Sequence, residues 1–309
     1  MLLSDAFSMF VRRCVIMGLS DVTMTNYADR LGRFGDYVGD IDVENLTRGD
    51  IEGYSLYLLT KNKQNNFIDY NTRIAKYSVR SYLIDIRTFL NYLHKEGFID
   101  DLAQYIVLPK TGQKQVKLYT DAEIQAIFDC FKNCNSAIEY RNYAIVALMY
   151  DSGLRRQEIC NLDISDVNMS DRIMLVRGKG DKMRFVPFGQ LSQSLIKQYL
   201  SLRSDFRLPC LFLSSTKTRM TGNAIENIFY RIRKKTGLEV SAHRLRHNFA
   251  TNFLLDQYDK YGKADIYQLQ VILGHADTKT TMQYLHIANQ IIACKTNNSR
   301  LDSRHFEFG

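Results

Sequence analysis

Ile173-Met-Leu-Val-Arg-Gly-Lys-Gly-Asp-Lys-Met-Arg-Phe-Val-Pro187 breaks the helical texture of a 309-residue chain. Ile173–Val176 and Arg184–Val186 are short β-favouring runs. They flank Gly178-Lys-Gly-Asp-Lys182, a glycine-rich turn, and the pattern predicts a β-hairpin. The sequence on both sides of it has a helical period. Upstream, Thr120-Asp-Ala-Glu123 has the spacing of a capping box, in which the hydroxyl and the carboxylate each satisfy a backbone N–H of the other's turn. A second helix is predicted over about Glu139–Tyr150, with Gly153 as the break after it. Downstream, helical patterns run to about His286. The expected fold is therefore mainly α, with a small β-sheet or hairpin in the second part of the chain.

The first hundred residues also read as helices. Val22, Tyr27, Leu31, Phe34 and Val38 recur at three- to five-residue intervals, a second segment covers about Thr47–Thr60, and Val79, Leu83, Ile86, Leu90 and Leu93 form a stripe along Tyr77–Leu93. Val107–Lys117 turns polar, with Pro109, Gly112 and the lysines Lys110, Lys114 and Lys117. This is the expected linker between a helical domain at 1–106 and a second domain at 118–290, followed by a tail at 291–309. With 45% hydrophobic residues the chain has enough apolar material for two cores, and with 24% charged residues it lacks the composition of a disordered protein.

Charge is unevenly placed. Residues 1–110 hold 13 Lys/Arg against 14 Asp/Glu, and residues 111–309 hold 28 against 19, so the second part carries +9 and the first −1 of the net charge of +8. Such an excess favours a polyanionic partner, nucleic acid or acidic lipid. Within the first part Lys61, Lys63, Arg73, Lys76, Arg80 and Arg87 face only Asp69 and Asp85, with Tyr70, Tyr77 and Tyr82 among them. That is either a nucleic-acid grip or a solvated face over packing tyrosines. The six cysteines form no CxxC pair and no ligand-like spacing with histidine, which fits reduced thiols and no metal site. Met1–Gly18 is interrupted by Arg12 and Arg13, and no run approaches the roughly 18–20 apolar residues of a membrane span. The expectation is a soluble, cytoplasmic protein without a membrane partner.

Four segments carry candidate chemistry. In Gly153-Leu-Arg155-Arg-Gln-Glu158, an arginine braced by a carboxylate one turn on suits bidentate phosphate binding, or is an ordinary ion pair; Arg155, Glu158 and Leu162 are expected on one helical face. Lys179 projects between two glycines, as a proton donor or a plain turn lysine, with Lys182 as its competitor. In His243-Arg-Leu-Arg246-His, an imidazole and a guanidinium share a face suited to a negatively charged transition state, or form a basic helix end. Leu273-Gly-His275 places a histidine after a helix C-terminus, and Tyr284 follows nine residues later. With 19 tyrosines in the chain, any one is more commonly a packing residue than a nucleophile. No phosphate-binding glycine loop or GxSxG elbow competes with these segments.

Taken in order, Gly-Leu-Arg155-x-x-Glu158, Gly-Lys179-Gly, His243-x-Leu-Arg246-His, Leu-Gly-His275 and Thr-x-x-Tyr284 resemble the tyrosine recombinases, or phage integrase family, and most of all its simpler Xer-like and integron-integrase-like members. The resemblance is densest over about 118–290. It implies an N-terminal helical bundle (SAM-like) that binds a core DNA site and a C-terminal tyrosine recombinase catalytic domain, closing as a C-shaped clamp on duplex DNA. It also implies site-specific cutting and rejoining through a 3′-phosphotyrosine intermediate and a Holliday junction, with four protomers on two sites and no cofactor or metal. The roles it implies are Tyr284 as nucleophile, Arg155, Arg246 and His275 on the phosphate, His243 in proton transfer at the tyrosine and Lys179 as acid to the leaving 5′ oxygen. Glu158 would support the site from behind, and the tail after Tyr284 would dock on a neighbouring protomer. A type IB topoisomerase-like relaxing enzyme would use the same residues, and a non-catalytic DNA-binding accessory protein would be expected to have lost some of them.

Overall fold

The computed structural model describes residues 1–61, 73–112, 117–178, 182–205, 207–275 and 277–295. The chain divides into two compact units, Met1–Lys114 and Gln115–Gly309. The first contains α1 (Leu3–Ile16), α2 (Asp21–Val38), α3 (Arg48–Thr60) and α4 (Lys76–Lys95), with short 3-10 turns at Val43–Asn45 and Leu102–Tyr105. Helix α3 starts where Thr47 and Asp50 close a capping box. The stripe on α4 is buried throughout, with Val79, Leu83, Ile86, Leu90 and Leu93 at 1% exposure or less, and it packs with Leu31 and Phe34 of α2. Val22 departs from the expected stripe and is exposed. Five residues separate it from Tyr27, a spacing that at 100° per residue carries it to the far side of α2.

The second unit is built around α6 (Ala137–Ser152), preceded by α5 (Asp121–Asp129) and followed by the short α7 (Arg156–Asn161). Thr120 and Glu123 form the expected capping box at the start of α5. Residues 144–149 of α6 are all buried, so this helix is apolar all round because neighbours cover every face. An antiparallel sheet follows, with strands β1 (Val167–Asn168), β2 (Ile173–Arg177) and β3 (Met183–Pro187) in that order. Met174 pairs with Val186 and Leu175 with Phe185, so the expected hairpin is present with one short strand added at its side. Met174, Val176 and Val186 point into the core, as the alternation of a half-buried sheet requires.

Beyond the sheet come α8 (Gln190–Leu202), α9 (Gly222–Thr236), α10 (Ala242–Tyr261), α11 (Ile266–Leu273) and α12 (Thr278–Lys295). A small second core lies among α10, α11 and α12, formed by Ala250, Leu254, Leu269, Leu273, Tyr284 and Ala288. Helix α12 carries Tyr284 and runs on to Lys295, so residues 291–295 continue that helix. Residues 296–309, the remainder of the expected tail, lie outside the described residues. Among the described residues no helix is long and apolar enough to cross a membrane.

Candidate active site

Two left-handed glycines set the backbone of the site. Gly153 ends α6 at φ +63°, where an added Cβ would lie 2.3 Å from the Phe249 ring. Gly274 ends α11 at φ +62°, with Arg184 so close that a Cβ there would meet its side chain at 3.0 Å. Only glycine adopts this conformation without a steric penalty, so the chain turns sharply just before Arg155 and just before His275. Arg155 is not inside a helix, as the expected face with Glu158 and Leu162 required. It is the N-cap of α7, and Leu162 is the C-cap, because α7 is only six residues long. Arg155 and Glu158 still meet, since the Glu158 carboxylate accepts from the Arg155 backbone N–H at 2.8 Å and from its Nη1 at 2.9 Å.

Glu158 is 5% exposed and holds a second arginine that the motif search did not single out. Arg184 on β3 donates to both Glu158 oxygens at 2.9 Å, and its Nε donates to the Ile272 carbonyl at 2.7 Å. Burial pushes the Glu158 carboxyl up, but the hydrogen bonds and charge of Arg184, together with the Arg155 backbone, outweigh it and leave its pKa below the usual 4.5. A sequence signal for Arg184 did exist. It shares the inward face of β3 with Val186, and a charge on that face must find a buried partner.

Arg246 is 4% exposed. Its Nη1 donates to the Gly153 carbonyl at 2.6 Å, and its Nη2 reaches the Leu273 carbonyl at 2.8 Å and His275 Nε2 at 2.9 Å. Burial first, and then the charge of Arg155, brings its pKa down to about 10, so it stays cationic at neutral pH. Arg155 reaches the same Leu273 carbonyl at 3.3 Å. The two guanidiniums therefore converge on the turn that carries His275. A guanidinium has no lone pair to offer, so His275 Nε2 must accept; its proton is then on Nδ1, which lies 2.9 Å from Thr281 Oγ1. Burial and the Arg246, Arg155 and Arg184 charges lower its pKa to about 4, keeping the ring neutral.

Tyr284 is 2% exposed. The His275 ring lies parallel to it at 6.1 Å between centroids, and the His247 ring lies at 5.1 Å. Burial raises the phenol's pKa, while the charge of Arg246, hydrogen bonding from Arg246 and Gln283, and the charge of Arg155 pull it back without cancelling the rise. His243 is exposed, and its Nε2 is 2.7 Å from Nε2 of the buried His247. His247 and Thr281 are, like Arg184, members of the site that the sequence search did not assign. Arg155, Glu158, His243, Arg246, His275 and Tyr284 thus come together across this second unit. Lys179 and the turn residues 180–181 lie outside the described residues; Lys182 is exposed, and its carbonyl closes the hairpin by accepting from Gly178 N at 2.8 Å.

The first unit sorts the basic cluster differently. Arg87 donates to the Ile106 carbonyl, Arg80 to the Pro109 carbonyl at 3.4 Å, and Lys61 to the Tyr57 hydroxyl at 2.5 Å. Arg73 and Lys76 are exposed, and Lys63 lies outside the described residues.

Residues 117–290 match the phage integrase family. The chain belongs to the phage integrase family. Among the curated relatives of this integrase-family chain, tyrosine recombinase XerC of Anoxybacillus flavithermus is 28% identical over 278 residues, covering 87% of this chain and 88% of the relative. Tyrosine recombinase XerC of Thermodesulfovibrio yellowstonii is 31% identical over 229 residues, 69% of this chain and 72% of the relative. The crystal structure of XerA recombinase is 26% identical, covers 96% of this chain and 99% of its own, and superposes with a TM-score of 0.51. These likenesses make the chain an Xer-like tyrosine recombinase, with the mainly helical catalytic fold and small sheet described above.

Proposed function

We infer that this site-specific recombinase, a DNA strand transferase, cuts and rejoins duplex DNA with Tyr284 as its nucleophile. The observation that carries the reading is the buried Tyr284 ring, 5.1 Å from the His247 ring and 6.1 Å from the His275 ring, with Arg155 and Arg246 both bonded to the turn that carries His275. The phenol oxygen attacks the scissile phosphorus, the bond from phosphorus to the 5′ oxygen breaks, and a 3′-phosphotyrosine forms. The phenolic proton passes to a non-bridging phosphate oxygen with His243 assisting the transfer, and Lys179 supplies a proton to the departing 5′ oxygen. The ester keeps the energy of the broken bond, so a 5′ hydroxyl can reverse the step without a nucleotide cofactor or a metal. Repeating the exchange between two duplexes gives a Holliday junction.

Arg155 and Arg246 hold the non-bridging oxygens and offset charge in the pentacoordinate transition state. Both arginines give donors to the Leu273 carbonyl, and His275 is an acceptor from Arg246. A bound phosphate would compete for those donors, and His275 would turn to donate to it. The first unit, with Arg73 and Lys76 exposed, is proposed as the core-site-binding domain, joined by the linker at 107–117. The assembly is proposed as a tetramer on two sites, with the tail at 291–309 docking on a neighbouring protomer, and cytoplasmic action follows from a chromosomal or mobile-element substrate.

The test is Tyr284→Phe. The variant is expected to bind duplex DNA as the wild type does and to form no covalent adduct with a nicked suicide substrate, read on a denaturing gel. Adduct formation by the variant removes Tyr284 as the nucleophile.

A further inference from the structure

His247 is the part of the site for which the mechanism above has no use. It follows Arg246 on α10, is 3% exposed, and lies one helical turn after His243. The two rings are nearly perpendicular, at 81° with centroids 4.2 Å apart, and their Nε2 atoms are 2.7 Å apart. At that separation a single proton lies between the two nitrogens, and one ring donates while the other accepts. The other nitrogen of His247, Nδ1, is buried and has no hydrogen-bond partner among the described residues.

That orphan nitrogen decides the direction of the bond. A buried N–H without an acceptor is rarer in proteins than an under-used lone pair. If His247 accepted from His243, its own proton would sit on the partnerless Nδ1. If it donates, Nδ1 is a bare lone pair and the bond is complete. We propose that His247 is a positioning residue: its Nε2–H donates to His243 Nε2 and holds His243 in the Nδ1-protonated form, a hydrogen-bond donor to a phosphate oxygen. The ring of His247 meanwhile packs against Tyr284 and keeps the phenol beside the same phosphate. Burial, with the neighbouring His243 and Arg246, brings the His247 pKa down to about 4, which keeps the ring neutral and able to donate through Nε2 alone. With His243 Nε2 already filled, the phenolic proton passes to a non-bridging phosphate oxygen. His275 shows the same pattern, with its Nε2 filled and its proton on Nδ1.

The inference rests on the recombinase reading for its consequence but not for its test. Nitrogen-detected NMR of the free, full-length protein at pH 7 is expected to show His243 with a protonated Nδ1 and a bare Nε2. A protonated Nε2, or an imidazolium, overturns the proposal. In His247→Phe, which keeps the ring against Tyr284, His243 is expected to gain the other tautomer, and adduct formation on a suicide substrate is expected to slow by about tenfold or more, as a mis-set tautomer does elsewhere. His247→Gln places an amide N–H where Nε2 stood and is expected to restore both the His243 spectrum and most of the rate. An unchanged His243 spectrum in His247→Phe also overturns the proposal. Should His247→Phe not fold, the wild-type and His247→Gln spectra decide alone. Adduct formation by Tyr284→Phe would sink the nucleophile assignment while leaving the tautomer result standing.

Discussion

Arg184 is the side chain whose removal most sharply separates support from chemistry. Its bidentate bond to Glu158 is 8% exposed on one side and 5% on the other, so neither charge has water to fall back on. Removing one member of a buried pair costs about 3–5 kcal/mol when the other is left unpaired; here Glu158 keeps its bonds from Arg155, so that figure is the upper bound. Arg184→Ala is therefore expected to lower unfolding free energy by up to that amount at pH 7, measured by urea denaturation. The pH dependence has a definite sign. In the wild type the Glu158 pKa is lowered, so its contribution is complete above the ordinary 4.5 and is lost as pH falls through the lowered value. In the variant only Arg155 opposes the effect of burial, so the Glu158 pKa rises relative to the wild type and the gap between variant and wild type is expected to narrow towards pH 4. A gap that stays constant from pH 7 to pH 4 would mean that Glu158 does not feel Arg184. The positions proposed to touch phosphate were legible in sequence because each sits in a short motif, in a fixed order along the chain. Arg184 meets Glu158 and His247 meets the Tyr284 ring across 26 and 37 residues, and no local spacing encodes those two contacts.

Helix ends, more than helix interiors, place the reacting groups. The C-terminus of α6 at Gly153 lends its carbonyl to Arg246, and the C-terminus of α11 lends the Leu273 carbonyl to both arginines. Gly153 tests this directly. Alanine at a left-handed position costs roughly 1–2 kcal/mol, and overpacking a core costs typically about 1–3 kcal/mol; here the new methyl would lie 2.3 Å from the Phe249 ring. Gly153→Ala is expected to lose roughly 2–5 kcal/mol in chemical denaturation, the sum of those two costs. Trimming Phe249 to Ala in the same chain is expected to change that loss non-additively. A loss below about 1 kcal/mol would show that the turn relaxes and does not fix Arg246. Capping boxes, glycine stops and the hairpin were readable because each is a local bargain between neighbouring residues, as at Thr120–Glu123. Val22 and the length of α7 were not, since the phase of a stripe and the reach of a short helix depend on which neighbours cover them.

Two units with separate cores carry charge unequally. The first carries almost no net charge and the second carries the excess, so a run of basic residues in the first unit need not mean phosphate contact. Burial sorts that run. Arg80 and Arg87 donate to backbone carbonyls at Pro109 and Ile106, tying α4 to the chain that follows it, whereas Arg73 and Lys76 stand in solvent. A charge committed to a buried carbonyl releases no counterion when DNA binds, and a solvated one that meets a phosphate does. Plotting log affinity against log salt for a duplex is therefore expected to give a slope reduced by about 1 for Arg73→Ala and again for Lys76→Ala. Arg87→Ala is expected to keep the wild-type slope and instead to lower the melting temperature of the protein. Fluorescence anisotropy at several salt concentrations separates the two effects, because a fold defect lowers the active fraction equally at every salt while a lost phosphate contact changes the gradient. Equal flattening by Arg87→Ala and Lys76→Ala would mean that the carbonyl-bound arginine lets go and reaches the DNA, and would return α4 as a whole to the binding face.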